Sequence, residues 1–152
     1  MPQIAELAGV VWRAHYPGII SSEQIEYMLA RMYNLGVIGD EMRNGIAYDC
    51  LWAEDALVAF ASYGPTTTNE MKLYKLYVHP DRQRCGCGTQ LLRHLEAVAK
   101  GRDFKTLCLT VNKANAKAIA AYRKNGFAVR ESVLVDIGGG FVMDDYVMAK
   151  AV

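Results

Sequence analysis

The sequence predicts an α/β fold in which one mixed sheet is flanked by helices, and three observations carry the prediction. Three β-type runs, "IAYDCLWA", "ALVAFASYG" and "MKLYKLYVH", follow one another at short spacing, as an antiparallel meander does. A helical pattern then connects the last of them to "TLCLTV", and such a crossover implies a parallel pair. The chain closes with "AVRESVLVDIGGGFVMDDYVMAK", two further β-type runs around a triple glycine, which reads as a hairpin.

Taken in order, residues 3–15 set Ile4, Leu7, Ala8, Val11 and Trp12 at helical spacing, so one stripe faces a core. Pro17 and Gly18 end that helix. Ser21 with Gln24 resembles a capping box, and Ile25, Met28, Leu29 and Met32 continue a second helix. Residues 35–45 are polar and broken by glycine, and read as a loop. Glu54-Asp55 makes a tight turn between the first two strands, and "PTTTNE" a looser turn before the third. A helix carries Leu91, Leu92, Leu95 and Val98. "TLCLTV" is apolar enough to be buried on both faces. A helix over roughly 115–125 ends at Gly126, which suits a left-handed C-terminal cap. The order is helices, meander, helix, strand, helix, hairpin.

Composition narrows the functional classes. With 152 residues, 52% of them hydrophobic, the chain suits one domain over residues 1–152. No apolar run has the length of a membrane span, and no charged-then-apolar signal pattern opens the sequence, so a soluble cytoplasmic protein is expected. The 17 Lys and Arg against 16 Asp and Glu provide no overall field to attract nucleic acid. Cys50, Cys85, Cys87 and Cys108 are not needed as disulfides in a domain with this much core. The one-residue gap between Cys85 and Cys87, even with His79 nearby, is poor for zinc, so no metal site is expected.

The most informative stretch is "DRQRCGCGTQLLRHLEAVAK", residues 81–100, where two glycines open a helix. Gly86 and Gly88 remove Cβ atoms where strand gives way to helix, so successive amides can turn inward as an anion-binding nest. The positive helix end points to the same place, and Arg82 and Arg84 add charge. A pyrophosphate suits such a cradle; a tight turn with glycine for geometry alone is the alternative. A Walker A loop requires a lysine that is absent between Gly88 and Thr89, and a dinucleotide fingerprint requires glycine where Leu91 stands.

A third pattern fits. Q-x-x-G-x-G, here Gln83-Arg84-Cys85-Gly86-Cys87-Gly88 after "KLYVHP", resembles the acyl-CoA loop of the GNAT superfamily of N-acetyltransferases. "LTVNKANAKAIAAYRKNGF" resembles that family's second signature through Val111, Asn115, Ala118, Tyr122, Gly126 and Phe127. The resemblance runs from about Gly45 to the end of the chain. It implies a GNAT-like fold and transfer of an acetyl group from acetyl-CoA, as co-substrate, to a primary amine of a small molecule or peptide. Gln83, Arg84, Cys85, Gly86, Cys87, Gly88 and Thr89 would hold the pyrophosphate. The backbone of Leu76, Tyr77 and Val78 would pair with the pantetheine arm, Val78 also serving the developing oxyanion. Asn115 would bond the same arm, an N-cap role being equally compatible with the residue. Tyr122 would be the catalytic acid that protonates the departing thiolate; a half-buried aromatic with its hydroxyl at the rim is the alternative. Family members are often dimers, so a homodimer is a further expectation.

Two departures qualify the resemblance. Lys72 stands where many relatives carry the glutamate that takes the proton of the amine, and Glu70, two residues earlier, lies at another depth on the strand. That leaves the base unassigned, and admits a rival reading as an acyl-CoA-binding sensor without turnover. The customary first strand is also not evident. On the acceptor side, Trp12 and Tyr16 line a pocket or pack a core. Of Asp144 and Asp145, adjacent on a strand, one faces inward, either to meet a substrate ammonium or to close a structural salt bridge.

Overall fold

The computed structural model describes residues 2–152. Its elements run α1 (Pro2–His15), α2 (Ser22–Met32), α3 (Leu35–Arg43), β1 (Ala47–Ala53), β2 (Ala56–Pro65), β3 (Glu70–Val78), a single 3-10 turn at Pro80–Arg82, α4 (Cys87–Gly101), β4 (Thr106–Asn112), α5 (Ala116–Lys124), β5 (Ala128–Gly138) and β6 (Phe141–Ala151). The strands form one six-stranded sheet in the order β1-β2-β3-β4-β6-β5. This is the mixed α/β sheet expected, with helices ahead of the first strand. The chain clusters into two compact units. One holds the described residues up to Gly64 together with Lys75–Leu91; the other holds Pro65–Tyr74 and Leu92–Val152.

In the first unit, α1 buries the stripe read from the sequence, Ile4, Leu7, Ala8, Val11 and Trp12. Ser21 caps α2 by accepting the Gln24 amide at 3.1 Å, as its position ahead of the apolar repeat predicts. The expected loop over residues 35–45 is instead α3. Asn34 Oδ1 accepts the Val37 amide at 2.9 Å, and Ile38 is wholly buried. A good cap and one deeply packed side chain outweigh two helix glycines, each disfavoured by about 1 kcal/mol. β1 and β2 pair antiparallel around the Glu54-Asp55 turn, with Glu54 itself left-handed at φ 55°. β2 is buried without interruption from Val58 to Gly64, which explains its small residues. A Cβ on Gly64 would come within 2.9 Å of Ile46 Cδ1.

In the second unit, the start of β3 pairs parallel with β4, Glu70 opposite Thr106 through Leu73 opposite Leu109. This is the crossover pair expected from the sequence. β4 buries Leu107, Cys108, Leu109 and Val111, so both its faces are covered, with Thr110 alone exposed. Its other edge pairs antiparallel with β6, which pairs in turn with β5. Gly138, Gly139 and Gly140 all take positive φ, so the triple glycine is the β5–β6 turn itself. Gly126, at φ 93°, ends α5 as predicted.

Candidate active site

The glycine loop and the end of β3 belong to the first unit. Leu76, Tyr77 and Val78 lie beyond the last rung of the β3–β4 ladder, which ends at Leu73 and Leu109. Gln83 Nε2 donates to the Val78 carbonyl at 3.5 Å, a long bond that ties the loop back to the strand. Arg84 (φ 64°) and Gly86 (φ 83°) are left-handed, so the backbone reverses twice before the helix starts. The Gly86 carbonyl accepts the Gln90 amide at 2.9 Å, which makes Gly86 the N-cap of α4, and it has no side chain to cap with. The amides of Cys87, Gly88 and Thr89 therefore stay unbonded among the described residues, at the positive end of a fifteen-residue helix.

The two glycines differ in what requires them. Gly86 needs its left-handed backbone. Gly88 has no such need, and a Cβ there would meet only Val78 Cγ2, at 3.8 Å. Among the described residues, neither backbone strain nor crowding requires a glycine at 88. Free amides at a helix start are suited to receive an anion. Cys85 is exposed and Cys87 half-buried; the Cys85 thiol turns back to the Gln83 carbonyl at 3.7 Å.

Asn115 and Tyr122 belong to the second unit, at the start and the last turn of α5. Asn115 is buried and its Oδ1 accepts the Ala118 amide at 3.2 Å, so the N-cap role is present. Tyr122 is half-buried, its ring edge-on to Phe127 at 5.8 Å between centroids. The Phe127 amide donates to the Tyr122 carbonyl at 3.0 Å, so the turn at Gly126 fixes one ring against the other.

Glu70 is committed elsewhere. Arg130 forms an ion pair with it, Thr66 adds a hydroxyl at 3.4 Å, and the guanidinium bond holds its carboxyl below the usual glutamate range. Lys72 places its ammonium over the Tyr74 ring at 5.2 Å. The adjacent aspartates divide as strand alternation requires. Asp144 is exposed and closes a salt bridge with Lys113 at 2.9 Å. Asp145 faces inward and is only 9% exposed, and its buried Oδ1 has no hydrogen-bond partner among the described residues. Burial, with the charge of Asp144 in second place, pushes its carboxyl above the ordinary aspartate range, while Lys72 and Lys113 pull the other way.

Sequence reasoning missed one cluster, in the first unit. Lys75 is buried, with Nζ donating to Glu41 Oε1 at 2.9 Å, to the Tyr48 hydroxyl at 2.7 Å and, at 3.4 Å, to the Met32 carbonyl. Its ammonium also sits 4.4 Å from the Tyr33 ring centroid. Around it stand Trp12 stacked on Tyr16 at 4.3 Å, and Tyr33 bonded to the Tyr77 hydroxyl at 2.9 Å. Trp12 is 3% exposed, so core packing accounts for it. The signal was the alternation of β3 itself, which puts Lys75 in line with the buried Leu73 and Met71.

Comparison with known proteins bears on both units. The family model described as Acetyltransferase (GNAT) family matches residues 10–127, starting well before the motifs that first suggested it and stopping short of the final hairpin. The spermidine N(1)-acetyltransferase of Thermoplasma acidophilum is 27% identical over 93% of this chain and 88% of its own. The [ribosomal protein bS18]-alanine N-acetyltransferase of Salmonella typhimurium is 42% identical over a shorter match, 51% of each chain. Among solved structures, the PaiA N-acetyltransferase from Thermoplasma acidophilum in complex with coenzyme A superposes with a TM-score of 0.84 at 25% identity, covering 99% of this chain and 92% of that one.

Proposed function

This chain belongs to the GNAT acetyltransferase family and is an acyltransferase, and from that premise we propose that it acetylates a primary amine, a polyamine before a peptide N-terminus, with acetyl-CoA as donor. The observation that carries the reading is the start of α4, where an N-cap without a side chain, three unbonded amides and a glycine that neither strain nor crowding requires converge. Gln83 through Thr89 hold the pyrophosphate by their backbone. Leu76, Tyr77 and Val78 offer strand-edge groups beyond the β4 ladder to the pantetheine amides, and Asn115 bonds the same arm. The thioester supplies the activated acetyl group. Tyr122 gives its phenolic proton to the departing sulfur, so that a thiol and not a thiolate leaves. The polyamine is preferred because the match to the spermidine enzyme spans 93% of the chain, whereas that to the ribosomal-protein enzyme spans 51%.

The test mixes purified protein with acetyl-CoA and a panel of polyamines, amino acids and short peptides, reading free CoA with a thiol reagent. Amine-dependent release that falls by about 100-fold in Tyr122→Phe is the expected result. A specific observation favours a second reading: Lys72 replaces the usual carboxylate, and Glu70 is held by Arg130. Calorimetric binding of acetyl-CoA without release for any amine would favour that sensor role. No binding would overturn both.

A further inference from the structure

We propose that the Asp145 carboxylate receives the ammonium group of the acceptor and takes its proton, supplying the base that Lys72 does not. The inference rests on the transferase reading above and deepens it. β6 sets Asp145 on a rung between Asn112 of β4 and Val133 of β5, neither of which brings a charge. Asn112 Oδ1 is already engaged, accepting the Ala114 amide at 2.9 Å. The charged groups that act on Asp145 are Asp144 from its own strand, Lys72 from β3 and Lys113 from the end of β4. None of them bonds it: Asp144 and Lys113 are closed on each other, and Lys72 lies over Tyr74. A carboxylate more than nine-tenths buried, with one oxygen shut off from water and unbonded, is costly to keep in a stable fold. Such groups call for a partner outside the chain.

The chemistry balances as one proton transfer. An N–H bond of the ammonium breaks, an O–H bond forms on Asp145, and the lone pair left on nitrogen attacks the thioester carbonyl. Burial favours this direction, because it raises the proton affinity of the carboxylate, while the two lysines act against that rise. The same lysines set a preference. A second positive charge close to the reacting nitrogen would meet Lys72 and Lys113, so a diamine with well-separated charges is favoured over a vicinal one.

The experiment compares wild type, Asp145→Asn and Asp145→Glu with linear diamines of increasing length across a pH series, and records melting temperature alongside. The expected result for Asp145→Asn is a fall in kcat/KM of about 100-fold or more, with the KM for acetyl-CoA unchanged. The acid limb of the pH profile disappears, and the melting temperature rises because an unpaired buried charge is gone. Asp145→Glu regains part of the activity and the acid limb. Wild-type kcat/KM in Asp145→Asn, or a lower melting temperature, overturns the inference. If wild type itself turns over no amine, the transferase reading fails, which is a different result. Asp145 is then decided by binding: a polyamine that raises the melting temperature of wild type but not of Asp145→Asn sustains it. An equal rise, or none, overturns it.

Discussion

Lys75 and Asp145 are both buried charged residues on strands, and the chain treats them in opposite ways. Around Lys75 the first unit has assembled a carboxylate, a phenol, a backbone carbonyl and an aromatic face. Around Asp145 the second unit has assembled nothing that bonds, although two lysines are near enough to be felt. Full satisfaction marks a charge that holds structure together. An orphaned one marks stability withheld at that point, which natural proteins tolerate mostly where a ligand completes the site.

The sharpest way to break the comparison is Lys75→Met. It leaves Glu41 and the Tyr48 hydroxyl without their shared partner, and removing one member of a buried pair costs about 3–5 kcal/mol. Glu41 keeps a quarter of its side chain in water, so a loss near about 3 kcal/mol is expected in urea unfolding. A neutral result would mean that Lys75 is as dispensable as a surface charge. Next is Asp145→Asn, with the opposite sign: a gain in stability, because a neutral amide replaces an unpaired buried charge, which is the costlier group to desolvate. Its pH dependence has a definite direction. Because the folded carboxyl is raised above its unfolded value, its contribution to stability is whole in acid and lost as pH rises through the folded value. The advantage of the variant should therefore appear on raising the pH and vanish in acid.

The same contrast explains what was legible in the sequence. The strands, the crossover helix and the cap at Gly126 rest on local pattern, and they stand where periodicity and turn chemistry put them. The helix Leu35–Arg43 did not, because its glycines weaken the local signal and its stability comes from burying Ile38, a tertiary fact. The first signature that pointed to the family was readable through Gly86 and Gly88 at fixed offsets after Gln83, the second through the spacing of Val111, Asn115, Ala118, Tyr122, Gly126 and Phe127. The choice between Asp144 and Asp145 was half readable. Alternation requires one to face inward; which one depends on register against β4 and on Lys113 capturing Asp144. Of the Lys75 cluster only the inward side of Lys75 was legible, in the alternation of β3; its partners come from residues 32, 41 and 48, far along the chain.

Smaller effects divide the loop glycines by the same logic. Gly86→Ala forces a Cβ into a left-handed backbone and should cost about 1 kcal/mol of stability. Gly88→Ala meets no strain and little crowding, so its stability should match wild type or exceed it slightly, while affinity for CoA falls in calorimetry. If Gly88→Ala binds CoA as wild type does, the space above it is not the anion cradle.

Glu70→Gln gives the smallest effect and closes the comparison, because Glu70 is a carboxylate of the second unit that has its partner. The Arg130 guanidinium is 44% exposed, so the pair is worth no more than about 1 kcal/mol. Its pH signature runs opposite to that of Asp145. With the folded carboxyl held below its unfolded value, the stabilisation is present above the unfolded value and lost as pH falls through the folded one. Glu70→Gln should thus be slightly weaker than wild type at neutral pH and equal to it in strong acid, with turnover unchanged. Loss of turnover in Glu70→Gln, with Asp145→Asn active, would reassign the proton transfer to β3. Two acids of one unit with opposite pH slopes, only one of them needed for turnover, would separate a carboxylate that serves the fold from one held in reserve for an amine.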